Sequence, residues 1–300
     1  MIYEKGANSY LKINNGRHSA DINIVKIRFT FSASLLLLLW LLPIEGEPRD
    51  KKDIPPGISI PILLYHRFGP VVADSMTIPT PVFEFHLKYL HDGGYRVIPL
   101  RELVGRYRGG GLTSATRLVA ICADDGHKTV YTDMFPLINK YRIPITLFLY
   151  PSAISNASYA MTWEQIREMK DTGLFDFQSH TYWHPNFKKE KERLKPTDYE
   201  RLVEMQLKKS KETLEKKLNV KVDMLAWPFG ICDGWLMTKA AEAGYVAAFT
   251  IERHPTHPSD HRMALPRFLL TDADRGKAFE GILSGYNSMA KGNHVYDQKE

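Results

Sequence analysis

Two adjacent aspartates in "ICADDGHKT", Asp124 and Asp125, end an apolar run and are followed by Gly126. Neighbouring side chains on a strand point to opposite faces, so one carboxylate can hold a cation while the other addresses a water beside it. An Asp-Asp-Gly turn has the same composition, and the pair carries no chemistry unless partners converge on it. "SHTYWHP" supplies candidates, because His180 and His184 stand four residues apart after the apolar run "FDFQS". At helical spacing such a pair shares one face and reaches one ion. With Asp125 they make a three-ligand set with open coordination positions, the donor pattern of catalytic rather than structural zinc. His66 closes "PILLYH", Phe229 follows Pro228 in "WPFG", and Arg267 lies in "ALPRFLL". A histidine at a strand end is often only a hydrogen-bonded structural residue, so His66 must find its role from the rest of the chain.

The elements that carry these residues alternate. "PILLYH", "YRVIPL", "RLVAICADDG", "PITLFLYP", "FDFQSH", "VDMLAWPFG", "VAAFTI" and "ALPRFLL" read as strands, and helical patterns fall between most of them. Phe83, Leu87 and Leu90 have helical spacing in "VFEFHLKYLHDGG", and a last helix is expected near Lys277 to Tyr286. Such alternation predicts an α/β fold with parallel strands and outer helices. Its length suits a single distorted (β/α) barrel of about seven strands. Barrel chemistry sits at strand C-termini, and the polar residues named above fall there.

The chain has 300 residues, 44% hydrophobic and 25% charged, with a net charge of +6. These values exclude extended disorder and a polytopic membrane protein. The basic run Lys188 to Lys221 is interleaved with acids and lacks aromatic interleaving, so it reads as solvated helix and not as a nucleic-acid groove. Residues 1–46 read as an N-terminal extension with a signal peptide or anchor, and 47–300 as the catalytic domain. Lys26 and Arg28 precede an uncharged apolar run, Phe29 to Leu42, which is shorter than the about 20 residues of a spanning helix. No A-x-A-like triplet follows, which leaves two readings, a cleaved leader or an uncleaved membrane anchor. Either places the folded body outside the cytoplasm: periplasmic, cell-surface or extracellular. The only cysteines, Cys122 and Cys232, are read as free thiols, with a disulfide as the alternative.

The motifs "ADDG", "HTYWH" and "WPFG" resemble the first three of the polysaccharide deacetylases, the NodB-homology or carbohydrate esterase 4 family. The likeness runs from about Ile60 to Leu270, with Ala123 where the family usually has phenylalanine. It implies Asp124 as catalytic base, a divalent metal (zinc, or cobalt or nickel) on Asp125, His180 and His184, and an oxyanion contact from the Phe229 N–H. The family's closing Leu-x-x-His is missing, since His254, His257, His261 and His294 lack the leucine. "LLYH", Leu63 to His66, fits instead. First and last strands of a barrel are neighbours, so a motif moved to the start of the chain can occupy the same place, with His66 as general acid. That permuted order is similar to the exported deacetylases of poly-β-1,6-N-acetylglucosamine in biofilm matrix. The implied partner is an N-acetylglucosamine polymer, with peptidoglycan or chitin oligosaccharides as the alternative. Arg267 is read either as the partner that keeps Asp124 ionised or as a structural arginine. Trp183 and Trp227 are read either as sugar-stacking residues or as core.

Two other classes fit less well. A glycosidase needs carboxylates about 5 Å or more apart across the scissile bond, and that reading leaves both histidines idle. A non-catalytic polysaccharide-binding protein needs neither Asp124 nor His66.

Overall fold

The computed structural model describes residues 59–109 and 117–283. Chain contacts separate Met1–Arg49 from Asp50–Glu300, and every described residue belongs to the second unit. The expected N-terminal extension and its apolar run therefore lie outside the described residues. Among the described residues, no helix is long and apolar enough to cross a membrane.

Strand β1 (Ile62–Tyr65) leads through a short parallel pair, β2 (Arg67–Gly69) and β3 (Thr77–Pro79), into helix α1 (Thr80–Asp92). Phe83, Leu87 and Leu90 of α1 are buried, as their spacing predicts. Then come β4 (Arg96–Val97), α2 (Leu100–Gly109), β5 (Leu118–Asp125), α3 (Phe135–Tyr141), β6 (Ile145–Leu149), α4 (Trp163–Asp171) and β7 (Phe175–Ser179). The basic run forms two helices, α5 (Phe187–Arg193) and α6 (Pro196–Leu218). Pro196 opens the second, where a missing backbone N–H costs nothing. Strand β8 (Met224–Ala226), helix α7 (Gly234–Glu242), β9 (Ala247–Phe249) and β10 (Phe268–Leu269) follow, and residues 277–283 are helical.

Seven parallel strands stand in the order β10, β1, β5, β6, β7, β8, β9, with β4 beside the start of β5. The strand closing the chain is the neighbour of the strand opening it, Leu63 facing Phe268 and Leu64 facing Leu269. Leu265, just before β10, makes a parallel bridge to Phe249 of β9, so one stretch of chain spans the seam of a distorted barrel.

Side-chain alternation along the strands sorts the core into two layers. Ile62, Leu64, Ala120, Cys122, Phe148, Met224, Ala226, Ala247 and Phe249 pack together as the barrel interior. Leu63, Tyr65, Ile121, Leu147, Phe177 and Leu225 pack outward with apolar side chains of the helices. On this alternation His66 continues the inward row of β1, and Asp124 that of β5.

Candidate active site

Asp124 is held at the top of the barrel interior by Arg267. The Arg267 guanidinium donates from Nη1 to Oδ1 and from Nη2 to Oδ2, both at 2.8 Å, and neither side chain reaches solvent. A forked pair of this kind fixes a carboxylate in orientation as well as charge. Arg267 also donates Nε–H to the Thr250 carbonyl at 2.9 Å and lies over the Phe148 and Phe249 rings. Burial pushes Asp124 up, but the guanidinium pulls it further down, and its carboxyl stays below the usual range.

Asp125 turns away from its neighbour because the chain leaves β5 there in the left-handed region, at φ 71°. Gly126 follows at φ 74°, and a Cβ on it would meet Leu149 Cδ2 at 2.8 Å, so only glycine fits this turn. His180 comes directly after β7, and its Nδ1–H donates to the Ala226 carbonyl at 2.8 Å, leaving the Nε2 lone pair to face Asp125. His180 Nε2 stands 3.6 Å, and His184 Nε2 3.7 Å, from Asp125 Oδ1.

The His180–His184 pair does not lie on a helix. Its segment is a turn with Thr181 at φ 64° and His184 at φ 63°, and these two left-handed residues bring the rings to 4.6 Å. The four-residue spacing predicted the convergence but for the wrong local structure. Helix α6 holds the turn in place. Its buried Gln206 accepts hydrogen bonds from the backbone N–H of Tyr182 and of Trp183, both at 3.0 Å, and Ser210 meets Ser179 at 2.8 Å. Those two residues lie in the buried stripe of α6, and polar side chains four apart in an apolar stripe were the sequence signal that could have found them.

Donor atoms of Asp125, His180 and His184 lie within 4.8 Å of one another. Zinc-class bonds of about 2.0–2.1 Å imply ligand–ligand edges of roughly 3.3 Å, so the 3.6–3.7 Å separations, too long for hydrogen bonds, fit a shared cation. Burial lowers His180 to about 3 and also lowers His184, keeping both imidazoles neutral. Burial and the nearby Asp124 raise Asp125 to about 7 in the absence of a cation. A buried pair of carboxylates with one left uncompensated is the electrostatics of a site built for positive charge.

His66 is 7% exposed, and its Nδ1 has no hydrogen-bond partner. Burial lowers it to about 4 against the attraction of Asp124. Phe229 sits at φ 56° with its ring 4.6 Å from that of His184 and half of its surface exposed. Trp183 is 45% exposed, whereas Trp227 is fully buried, donates Nε1–H to the Met263 carbonyl at 2.8 Å and packs on Phe187. Trp227 has no face to offer a sugar, and the core alternative describes it. His254, His257 and His261 belong to the loop before the seam, and His294 lies outside the described residues. Cys122, buried beneath Asp124 and pushed up to about 12 by burial, and Cys232 are free thiols.

Sequence reasoning missed a cleft of about 380 Å³ beside Asp125, lined by Arg67, His127, Tyr150 and Tyr159. A larger groove of about 1000 Å³, bordered by Tyr107, Met237, His261 and Arg262, contains none of the converging residues.

The sequence profile of the family described as polysaccharide deacetylase matches residues 112–248. A poly-beta-1,6-N-acetyl-D-glucosamine N-deacetylase of Staphylococcus aureus is 25% identical over 211 residues, 69% of this chain and 71% of that protein. The structure of IcaB from Ammonifex degensii superposes with a TM-score of 0.66 at 25% identity, covering 77% of this chain and 97% of the other. The deacetylase PplD of Streptococcus pyogenes, solved in complex with acetate, gives 0.68 at 22% identity over 76% of this chain and 99% of the other.

Proposed function

Since the chain belongs to the polysaccharide deacetylase family, we propose that it hydrolyses N-acetyl groups on an exported N-acetylglucosamine polymer, poly-β-1,6-N-acetylglucosamine, and needs a divalent cation to do so. One observation carries the reading: Asp125, His180 and His184 converge beside a second carboxylate, Asp124, both of whose oxygens Arg267 holds in a fork while Oδ2 stands 3.7 Å from His180 Nε2. A site for cation binding alone has no use for a second carboxylate that a buried guanidinium orients at its edge. The likeness to the S. aureus enzyme supports the polymer, and the apolar run Phe29 to Leu42 supports export.

Asp125, His180 and His184 would hold the cation. When bound, a zinc-class ion lowers the pKa of water and polarises the acetamide carbonyl. Asp124, ionised through its Arg267 fork, takes the proton of the attacking water. The left-handed turn at Phe229 presents its N–H to the oxygen that becomes negative. His66, on the inward row of β1, is placed to give a proton to the departing amine, because an amide nitrogen leaves poorly as an anion. Burial keeps the free imidazole neutral, so it takes up that proton in the course of the reaction, the one Asp124 removes from water being the source. The pairing of β1 with β10 supports this assignment, since it puts the strand that ends at His66 beside the one that Arg267 precedes, and the charges of Asp124, Arg267 and His184 all act on His66.

Acetate release from β-1,6-linked N-acetylglucosamine oligomers, chitin oligomers and peptidoglycan, with and without chelator, tests the reading. Release from the β-1,6 series that stops on chelation and returns with zinc, cobalt or nickel is expected. Full release from a verified metal-free preparation overturns the mechanism, and release from peptidoglycan or chitin alone overturns the polymer.

A further inference from the structure

The cleft beside Asp125 has a built floor. Residues 127 and 160 form an antiparallel bridge, and the backbone N–H groups of Lys128 and Met161 donate to the carbonyls of Tyr159 (2.7 Å) and Gly126 (3.0 Å). The loop after β6 is thus tied to the Asp-Asp-Gly turn that carries a metal ligand. Within it Tyr159 is 43% exposed, its ring nearly parallel to that of His127 at 10°, and its hydroxyl 2.8 Å from the Tyr150 hydroxyl. Arg67 closes the other side, paired with Asp74. An aromatic ring fixed at both ends, half exposed and surrounded by hydroxyl, imidazole and guanidinium donors, suits a sugar ring: apolar on its face, rich in acceptors at its rim.

We propose that this cleft is the subsite for the sugar next to the one being deacetylated, and that Tyr159 is its stacking platform and the residue that sets the preference for chains over single sugars. The inference rests on the N-acetylglucosamine polymer reading above. The cleft adjoins Asp125, so a sugar seated there has its neighbour at the metal site. Its volume of about 380 Å³ admits one ring and not several. Because the loop's backbone bonds do not pass through the Tyr159 side chain, a truncation there leaves the loop tied.

The experiment measures kcat/KM for β-1,6-linked N-acetylglucosamine oligomers of one to five sugars and for an aryl acetate, which reads the metal site without a second ring. In the wild type, kcat/KM should rise from the single sugar to the longer oligomers. Tyr159→Ala should lower kcat/KM on the oligomers roughly tenfold more than on the aryl acetate, as expected for one lost aromatic contact. Tyr159→Phe should restore the dependence on length. An undiminished rise in Tyr159→Ala, or an equal loss on ester and oligomer, overturns the subsite. A wild type that cleaves the ester but no saccharide of any length overturns the polymer reading itself, and the subsite falls with it for that separate reason.

Discussion

The two ends of the barrel both bury polar groups, and they treat them in opposite ways. At the N-terminal end, Arg101 of α2 donates to Asp223 at 2.6 Å and reaches Asp176 at 3.3 Å, and Lys221 adds a second cation to Asp223. Gln178 accepts from the N–H groups of Asp223 and Met224 and donates to Asp176 and the Lys221 carbonyl. Charges there are matched, and one amide side chain satisfies two buried backbone N–H groups, while Asp176 Oδ2 and the Thr146 hydroxyl are left without a hydrogen-bond partner. At the C-terminal end, His66 Nδ1 is unpaired, Asp125 is raised by its surroundings, and Asp125, Thr181, His184 and Phe229 hold left-handed backbones. Left-handed residues and unpartnered polar atoms occur at both ends, Arg142 and Asn219 standing just before β6 and β8. What separates the end that binds from the end that holds is charge, an uncompensated carboxylate above and paired ions below.

Breaking the upper end should cost activity before stability. His180→Ala or His184→Ala is expected to lose the bound metal and at least about 100-fold in rate, read by metal analysis beside acetate release. Asp124→Asn should lose a similar factor while retaining the metal, because Asp124 is forked to Arg267 and not committed to the cation. Equal metal loss in Asp124→Asn and Asp125→Asn would mean the two carboxylates are not divided as assigned. His66→Ala sharpens the comparison further. It should keep metal and fold, lose most turnover on acetamides, and lose much less on an aryl acetate, whose leaving group departs without a proton. If instead a change at His254, His257 or His261 stops sugar deacetylation and His66→Ala does not, the acid comes from the late chain.

The strands, their C-terminal polar residues and the barrel were legible because alternation and apolar runs are local signals. The Asp124–Arg267 fork was legible only as one of two options, since 143 positions separate its partners and only closure of the seam decides it. The His180–His184 turn shows where spacing misleads. A separation of four suits a helix, yet two left-handed residues achieve the same convergence, and no propensity announces a positive φ at a β-branched threonine. Tyr150, Tyr159, Arg67 and His127 escaped notice because each looks ordinary in its own segment. Their cleft exists only once three loops meet. Trp227 illustrates the reverse: a tryptophan inside a recognisable motif is buried core, and motif membership does not imply contact with a ligand.

At the lower end the effects should appear in stability alone. Gln178→Leu leaves two buried backbone N–H groups unpaired, and a loss on the order of 3 kcal/mol is expected in denaturant titration, with metal content retained. Arg101→Met should cost less, since Lys221 still faces Asp223, and should leave turnover of the folded enzyme unchanged. A drop in turnover without a drop in stability would show that the two ends are coupled.

A last effect, read against pH, concerns His86, buried outside both ends. It accepts from the Tyr65 hydroxyl at 3.1 Å, donates to the Asp274 carbonyl at 2.7 Å and stacks on Phe279 at 3.9 Å, so the fold needs it neutral. Burial lowers it from 6.5 to about 4. Above pH 6.5 neither folded nor unfolded chains protonate it, and its contribution is complete. Between about 6.5 and 4 the unfolded chain takes up a proton that the folded chain refuses, so stability falls with pH, and below about 4 the loss levels off. His66, His180 and His184 share this sign, so the slope of the wild type alone does not isolate His86. The difference between wild type and His86→Gln does. Unfolding free energies measured from pH 7.5 to 4.5 on equally metal-loaded samples should converge as pH falls, because glutamine keeps a donor and an acceptor but has no proton to gain. Parallel curves would show that His86 is protonated in the folded protein as readily as in the unfolded one, and that the Tyr65–His86–Asp274 chain does not hold it neutral.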